Sequence, residues 1–389
     1  MYTVKIGLPA AEHDAFIKAS NSTNLLQSSN WVKVKDNWRH ERIGFYKDND
    51  LKSSVSILIK PLPLGLTMLY IPRGIVLDYS DTELLTFVLS ELKKYGKAQH
   101  ALFIKFDPPI LADQSEMLIK RLENFGVKWS GLTTDMGDTI QPRYNAVIHQ
   151  ESFSEDALSK KTRQFLRKAR HSQPIFEIGG TELVADFAEL MKKTESRKNV
   201  SLRNAAYYTK LLETYGGDAF INLVKMDFGK LLSEAKENRE KLTDSLSKAK
   251  NEKRVKSLTS DLEMMDKNIV ALTEAVTTHG AVIPVAGTLT VNFGGAAETL
   301  YAGTDTAFQK YYPSYLAWYE AIHHAFEMGA QTLNMGGLEN SLSESDGLLK
   351  FKKHFNPKIE IYVGEFDLPV NRFLFNLSKL AYKLRKKMK

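Results

Sequence analysis

The sequence predicts a mixed α/β protein built as two similar halves, with a two-helix arm inserted in the second. Three observations carry this expectation. Strand-like and helix-like segments alternate along both halves, one stretch of about fifty residues has neither Gly nor Pro, and 389 residues suit two or three domains rather than one. A composition of 43% hydrophobic and 25% charged residues is that of a globular protein with an ample core.

In residues 1–150, apolar or alternating runs at 54–59, 67–71 and 101–106 read as strands bounded by Pro and Gly. Residues 81–95 carry a helical period, with Asp81 and Thr82 as the start and Gly96 as the stop. Pro61, Pro63 and Pro72 punctuate the strand region, and Asp107-Pro108-Pro109 ends a strand abruptly. Residues 151–228 repeat the theme: helices at 154–172, 181–197 and 205–215, then a strand at 220–226.

The character changes at 230–278. Apolar residues recur at Val255, Leu258, Leu262, Met265, Ile269, Leu272 and Val276, alternating three and four apart, with a weaker series at Leu231, Ala235, Leu242 and Leu246. Such spacing keeps one apolar seam facing a partner helix. A break at 251–254 folds the stretch into an antiparallel coiled-coil hairpin, closed by Gly280. Strand patterns at 220–226 and 281–293 flank it, so the arm takes the place of a β-turn. Downstream come a hairpin (282–290 with 297–303), a helix at 312–328 and a strand at 332–335. Residues 371–389 form a basic amphipathic helix with Phe373, Leu377, Leu380 and Leu384 on one stripe and six cations among the last eleven residues. That combination suits peripheral contact with an anionic membrane. The expected division is 1–150 and 151–389, the latter interrupted by the arm at 230–278.

A formal charge of +7 favours an anionic partner. The absence of cysteine excludes disulfides, thiolate metal sites and cysteine nucleophiles, and with the lack of a leader-like apolar run it fits a cytoplasmic location. No run of 18 apolar residues is present to span a membrane. Phosphate-binding loops, dinucleotide fingerprints, nucleophile elbows and zinc-protease motifs are missing, so no cofactor or metal is expected. Gly336-Gly337 after a strand permits close backbone approach to a ligand.

Several short segments, in order, resemble one family. They are Gln27-Ser-Ser-Asn-Trp31 running on through Lys33 and Lys35 to Trp38; Ile71-Pro-Arg-Gly74 with Asp78; Phe106-Asp107-Pro108; and Ile140-Gln-Pro-Arg-Tyr-Asn145. The series continues with Tyr301-Ala-Gly-Thr304, Tyr311-Tyr312 with Tyr315, Met335-Gly-Gly-Leu-Glu339, and Gly347 to Phe355. Each is weak alone, but eight in sequence over nearly the whole chain resemble the Fem family of peptidoglycan bridge-forming aminoacyltransferases. That resemblance implies two GNAT-like α/β domains, the first binding the precursor, with a coiled-coil arm in the second. It also implies transfer of Ala, Ser or Gly from aminoacyl-tRNA to the stem-peptide lysine or growing bridge of a lipid-linked precursor (lipid II), at the inner face of the plasma membrane.

The resemblance also implies site residues, motif by motif. Lys352, beside Phe351, falls at the family's lysine important for activity, and Asp107 at a pocket acid. Lys35 and Arg203 fall at the diphosphate contacts, and Ser201, Tyr207 and Tyr301 at other precursor contacts. Cations suit phosphate, and Arg can bind two oxygens at once. Leu102 and Thr299 stand where some members have Tyr, which leaves the sugar and peptide contacts open. Aminolysis of an ester needs a neutral amine, a protonated leaving hydroxyl and a donor for the oxyanion; Lys352 is the expected donor.

Two other readings compete. An acyl-CoA-dependent N-acyltransferase on the same scaffold would need a pyrophosphate-binding R/Q-x-x-G-x-G/A loop, and none stands at a strand-to-helix junction. A non-catalytic coiled-coil adaptor would account for the arm but not for the motif series. For tRNA, Lys160, Arg163, Arg167 and Arg170 lie on one face of the helix at 154–172, with no acid between the first and the last. The arm has ten basic and nine acidic residues between 230 and 276, a net charge of only +1. The basic helix is therefore expected to contribute more phosphate contacts than the arm.

Overall fold

A computed structural model describes the chain except residues 134, 199–200, 340–341, 344 and 388–389; side chains at 136, 198 and 380–387 are also left undescribed. The elements run β1 (Tyr2–Ile6), α1 (Ala10–Lys18), α2 (Trp31–Val34), β2 (Arg39–Lys47), β3 (Asp50–Pro61), β4 (Thr67–Ile71), α3 (Thr82–Ala98), β5 (Ala101–Phe106), α4 (Glu116–Asn124) and β6 (Lys128–Trp129). Next come β7 (Tyr144–His149), α5 (Lys160–His171), β8 (Ile175–Gly179), α6 (Val184–Lys198), α7 (Ala205–Tyr215), β9 (Ala219–Asp227), α8 (Phe228–Ser247), α9 (Glu252–His279), β10 (Val282–Phe293) and β11 (Ala296–Thr304). The chain closes with α10 (Pro313–Glu327), β12 (Thr332–Leu338), α11 (Gly347–Lys353), β13 (Lys358–Ile361), β14 (Phe366–Pro369) and α12 (Arg372–Lys387).

The strands form two seven-stranded sheets, ordered β1-β2-β3-β4-β5-β14-β6 and β8-β9-β10-β11-β12-β7-β13. Read in that direction the pairings match position for position. Three antiparallel contacts lead to one parallel pair (β4·β5 or β11·β12), and two antiparallel contacts complete each sheet. The two halves are thus one architecture used twice.

The sixth strand of each sheet comes from the other half. β7 crosses into the second sheet, and β14 returns to complete the first. Sheet membership therefore differs from a division at residue 150, and the 371–389 helix comes directly after a strand of the first sheet. α12 packs on that sheet through Phe375 against Phe103, ring centroids 5.4 Å apart, and Lys379 reaches Asp367 of β14 at 3.2 Å. The exchange escapes a sequence reading because any half-buried strand pattern fits either sheet equally well.

The periodic elements stand where spacing put them. α3 begins on Asp81, whose side chain accepts from Leu84 N, and buries Leu84, Leu85, Val88, Leu89 and Leu92 on one stripe. It does not stop at Gly96. That residue lies inside the helix, where a Cβ would come within 2.7 Å of Val370; the glycine admits the residue that follows β14 to the helix face. α8 and α9 form the arm hairpin between β9 and β10, whose register closes with Asp227 opposite Val282. Its base buries Ala235, Leu272 and Ala275 against Phe228 and Phe308. The basic helix is shorter than expected: Ser159 caps it by accepting from Thr162 N, and it starts at Lys160.

The halves share a core. Ile17, Leu25, Leu26, Trp31 and Val34 of the N-terminal segment are buried with residues of α6, α7 and β9–β10. Gln27, fully buried, donates to Pro72 O (2.6 Å) and accepts from Ser56 N (2.9 Å), tying this segment to the first sheet.

Gly96→Leu should lower the unfolding free energy by about 1–3 kcal/mol, because the added side chain overpacks the contact of α3 with Val370 and Ile104. Equilibrium denaturation with an unchanged m-value would bear this out; an undiminished midpoint would contradict it.

Candidate functional site

α2 packs on α7 at the seam between the halves, which brings the residues just after α2 against those just before α7. The resulting cavity, about 470 Å³, is lined by Trp31, Lys35, Trp38, Tyr70, Arg203 and Tyr207 among others. Lys35 Nζ lies 4.9 Å from the Trp31 ring centre and 5.8 Å from that of Tyr207. The Arg203 guanidinium lies 5.0 Å from the Tyr207 ring. Burial, reinforced by Arg203, pushes the Lys35 ammonium below its ordinary value. Neither cation is hydrogen-bonded or ion-paired to a described residue, and the acid on the cavity wall, Asp36, is taken by Lys210. Asn204 caps α7 just beyond Arg203, so the helix N-terminus adds positive potential. Two cations without an ion-pair partner among the described residues, set on aromatic walls, give the cavity the chemistry to hold an anion.

The other expected contacts divide. Tyr207 lines this cavity. Tyr301 packs edge-on to Tyr207 (6.1 Å) and Tyr208 (5.1 Å) and stands behind it. Ser201 is exposed and lines none of the cavities described.

A second cavity, about 460 Å³, opens where β11 and β12 part. Their parallel pairing ends at Glu298 opposite Asn334; beyond it Thr299, Gly303 and Thr304 face Met335, Gly336 and Gly337 across the gap. Lys352 closes one wall. It is not a solvated lysine on a turn: it sits in α11, 3% exposed, and its Nζ donates to Gly336 O (2.8 Å) and Gly337 O (2.9 Å). Gly336 has φ of +86°, a conformation costly for other residues, and turns its carbonyl to the lysine.

Phe351 separates this cavity from a third, about 640 Å³, and lines both. The third is walled by Lys310, Tyr312, Tyr315, Lys350 and His354. Phe165 of α5 stacks on Tyr312 at 4.5 Å, while Lys168 lies over Tyr312 and Lys161 over Phe165. Burial and the nearby Lys161 lower the His354 imidazole. This junction of basic and aromatic side chains is formed by three separate elements.

The expected face Lys160, Arg163, Arg167, Arg170 is less cationic than its sequence. Residues 154–158 fold back instead of continuing the helix. Glu155 then binds Arg170 through both oxygens at 2.9 Å, Glu320 stands 3.8 Å from it, and Asp156 meets Arg163 at 3.4 Å. Lys160 and Arg167 remain exposed.

Asp107 lines none of these cavities. It is 2% exposed and accepts from Tyr70 OH (3.0 Å) and Arg73 N (2.9 Å), with the Arg73 guanidinium 3.5 Å away. Burial raises its carboxyl to about 6. Sequence reading missed Arg73's part: it spans the seam, donating to Pro142 O and stacking on Tyr362. It also missed Glu298, whose carboxyl burial raises, and which feels both Arg73 and Lys352. Arg73 stands inside the Ile71–Gly74 segment, where no role was assigned to it, and Glu298 belongs to no segment with a recognisable spacing.

Two sheets of matching topology, with a parted parallel pair in the second, define a tandem GNAT-like protein. A tandem GNAT protein from the clavulanic acid pathway shares the fold at a TM-score of 0.50 and 7% identity, covering 95% of this chain and 99% of that one. More specifically, the FemAB family model matches residues 8–383, and the chain belongs to that family. A lipid II:glycine glycyltransferase of Staphylococcus haemolyticus is 29% identical over 99% of both chains. The crystal structure of FemX superposes with a TM-score of 0.79 at 27% identity, covering 96% of this chain and 99% of that one.

Lys35→Ala and Arg203→Ala should each weaken binding of inorganic pyrophosphate to the first cavity by about 1.5–3 kcal/mol. The double variant should lose less than the sum, because both cations grip one anion. Titration calorimetry measures this; unchanged binding in both single variants would remove the anion site.

Proposed function

We propose that the protein is a tRNA-dependent aminoacyltransferase that adds glycine to a lipid-linked peptidoglycan precursor, either on the stem-peptide lysine or on the growing bridge. The observation that carries this reading is the pair Lys35 and Arg203, two unneutralised cations in one cavity at the seam of a FemAB-family fold. A diphosphate-linked acceptor suits that cavity, and the name of the staphylococcal relative supports glycine as the residue moved.

The donor ester is placed in the Lys352 cavity. The neutral acceptor amine attacks the ester carbonyl, and negative charge develops on its oxygen. The C–O bond to the ribose breaks as the proton given up by the amine nitrogen passes to the ribose oxygen, which leaves as a hydroxyl. The Lys352 ammonium, fixed by two carbonyls at the cavity wall, offers a preorganised positive charge to that oxygen. Phe351 forms the wall past which the aminoacyl end enters. The 3′-terminal nucleotides lie in the third cavity, where Tyr312 and Phe165 provide stacking faces and Lys310 and Lys350 meet phosphates.

The direct test is incubation of the protein with precursor and a mixture of charged tRNAs, with the product read by mass spectrometry. A glycine increment that disappears when the tRNA is deacylated is the expected result; no increment from any charged tRNA rejects the reading.

Lys352→Met should abolish most turnover, and Lys352→Arg should retain part of it by keeping the charge. Circular dichroism of both variants separates this from loss of fold. Near-normal transfer by a folded Lys352→Met protein would remove the lysine from the chemistry.

For tRNA, the charge pairing of α5 changes the weight given to its residues. Lys310→Gln with Lys350→Gln should flatten the salt dependence of tRNA binding by a slope of about 1.5. Arg163→Gln with Arg170→Gln should change it less, because those side chains already hold acids. Filter binding across salt concentrations decides between the two pairs, and the opposite ranking would place the contact on α5.

A further inference from the structure

One end of the first sheet carries an apolar surface that the site described above does not use. β3 and β4 are joined there by Leu62, Pro63, Leu64, Gly65 and Leu66, a loop without a polar side chain. Leu64 is 95% exposed, and Pro63 is exposed beside it. A folded chain gains nothing by holding a leucine in water at a hairpin tip.

A second apolar patch lies at the same end. Thr67 pairs with Ala101, and Leu102 O accepts from Val370 N, so the β3–β4 loop, the start of β5 and the entry to α12 share one edge of the sheet. At that entry Phe373 is 76% exposed and Leu377 53%. The two patches are about two strand spacings apart, roughly 10 Å. Cations surround them: Arg39 at the start of β2, Lys60 at the end of β3, Lys97 at the end of α3 and Arg372 at the start of α12 are all exposed. Lys60 lies 5.4 Å from the Trp38 ring centre. Trp and Lys side chains are the ones that anchor proteins at the headgroup level.

The anion cavity opens on the same face of the sheet. Leu58 and Tyr70, opposite each other in β3 and β4, line it and cluster with Trp38 and Met68, while their neighbours Ile57, Ile59, Leu69 and Ile71 face the core under α3. From Leu58 to the loop is about three residues of strand, roughly 10 Å. That is the depth to which interfacial apolar groups enter a bilayer below its phosphates.

We propose that this end of the first sheet, through the 62–66 loop and the first turns of α12, inserts into the headgroup–acyl boundary of an anionic lipid bilayer. The proposal deepens the reading of the first cavity as the site of a lipid-linked diphosphate, since the inserted loop would hold that cavity at the level of the membrane phosphates. The apolar side chains supply depth, and the ring of cations selects anionic headgroups.

The test uses the full chain alone, without donor or acceptor, so its outcome does not depend on the transfer reaction. Co-sedimentation with phosphatidylcholine vesicles, with and without phosphatidylglycerol, gives the partition coefficient. Wild type should bind the anionic vesicles more strongly. Leu64→Asp and Phe373→Asp should each reduce partitioning by about tenfold or more, the cost of losing one buried apolar side chain. Met117→Asp, at a position on α4 beyond the other end of β5 that is 74% exposed, close to Phe373 in exposure, should leave it unchanged. The proposal is overturned if wild type binds neither vesicle, if Leu64→Asp and Phe373→Asp bind like wild type, or if Met117→Asp loses as much. A change of oligomeric state in Leu64→Asp without loss of vesicle binding would also overturn it, because the edge would then join copies of the chain. Normal vesicle binding by a protein that transfers nothing to precursor would reject the proposed reaction and leave the membrane surface standing.

Discussion

Residues 17–34 leave the first half of the chain and bury Ile17, Leu25, Leu26, Trp31 and Val34 among the helices and strands of the second. Five such side chains contribute of the order of 10 kcal/mol of apolar transfer before entropy is subtracted, comparable with the whole net stability of an ordinary protein. The contact fixes α2 against α7, and with it the separation of Lys35 from Arg203. The reciprocal exchange of β7 and β14 also ties the halves together, since neither sheet is complete without a strand from the opposite half. The walls of the first cavity are therefore held by buried contacts on both halves.

Charge is distributed along that interface in alternation. Asp107 meets Arg73, Arg73 and Lys352 both act on Glu298, and Lys352 closes the second cavity. Buried charges of one sign would be costly at such a seam; alternating ones offset each other's desolvation. Lys35 and Arg203 break the pattern by standing together with no acid of the described residues paired to either, since Asp36 on the same wall is held by Lys210. That local imbalance suits their cavity to an anionic ligand. Tyr301, an expected contact, and Tyr208 beside it stiffen the aromatic wall that holds these cations rather than facing the cavity directly.

The motif resemblance led to Lys35, Arg203, Tyr207, Phe351 and Lys352, which line cavities because the short segments that carry them each end at a cavity wall. Lys35 comes after the turn of helix that carries Trp31, Arg203 precedes a capped helix, and Lys352 stands next to Phe351 in a helix beneath a Gly-Gly strand end. Asp107 shows the limit of that approach. Its Phe-Asp-Pro setting signalled importance, but whether a carboxylate faces a cavity or an arginine depends on a residue distant in sequence, Arg73, whose backbone takes a φ of +49° to meet it. The α5 cations show the same limit in reverse. Counting charges between Lys160 and Arg170 could not register that the preceding residues turn back and deliver Glu155 and Asp156 to the same face. The stripe position of Leu380 and Leu384 lies outside the described side chains.

Local periodicity, by itself, determined α3, α6, α7, α10, the strands β3–β5 and β9–β12, and the arm with its insertion between paired strands, while β1, β2, α1 and α4 were not read from it. It could do so because the side-chain repeats of 3.6 and 2 are properties of the backbone and are written into any segment with one buried face. Gly96 was misread as a stop because its role is set by Val370, a residue far along the chain, and not by its own helix. The exchange of β7 and β14, the pairing of Lys35 with Arg203 and the capture of Lys352 by two glycine carbonyls were decided only in the tertiary structure. Each depends on which surfaces come together once many half-buried elements compete for the same partners, and that competition is settled by the summed burial of the whole chain rather than by any segment of it.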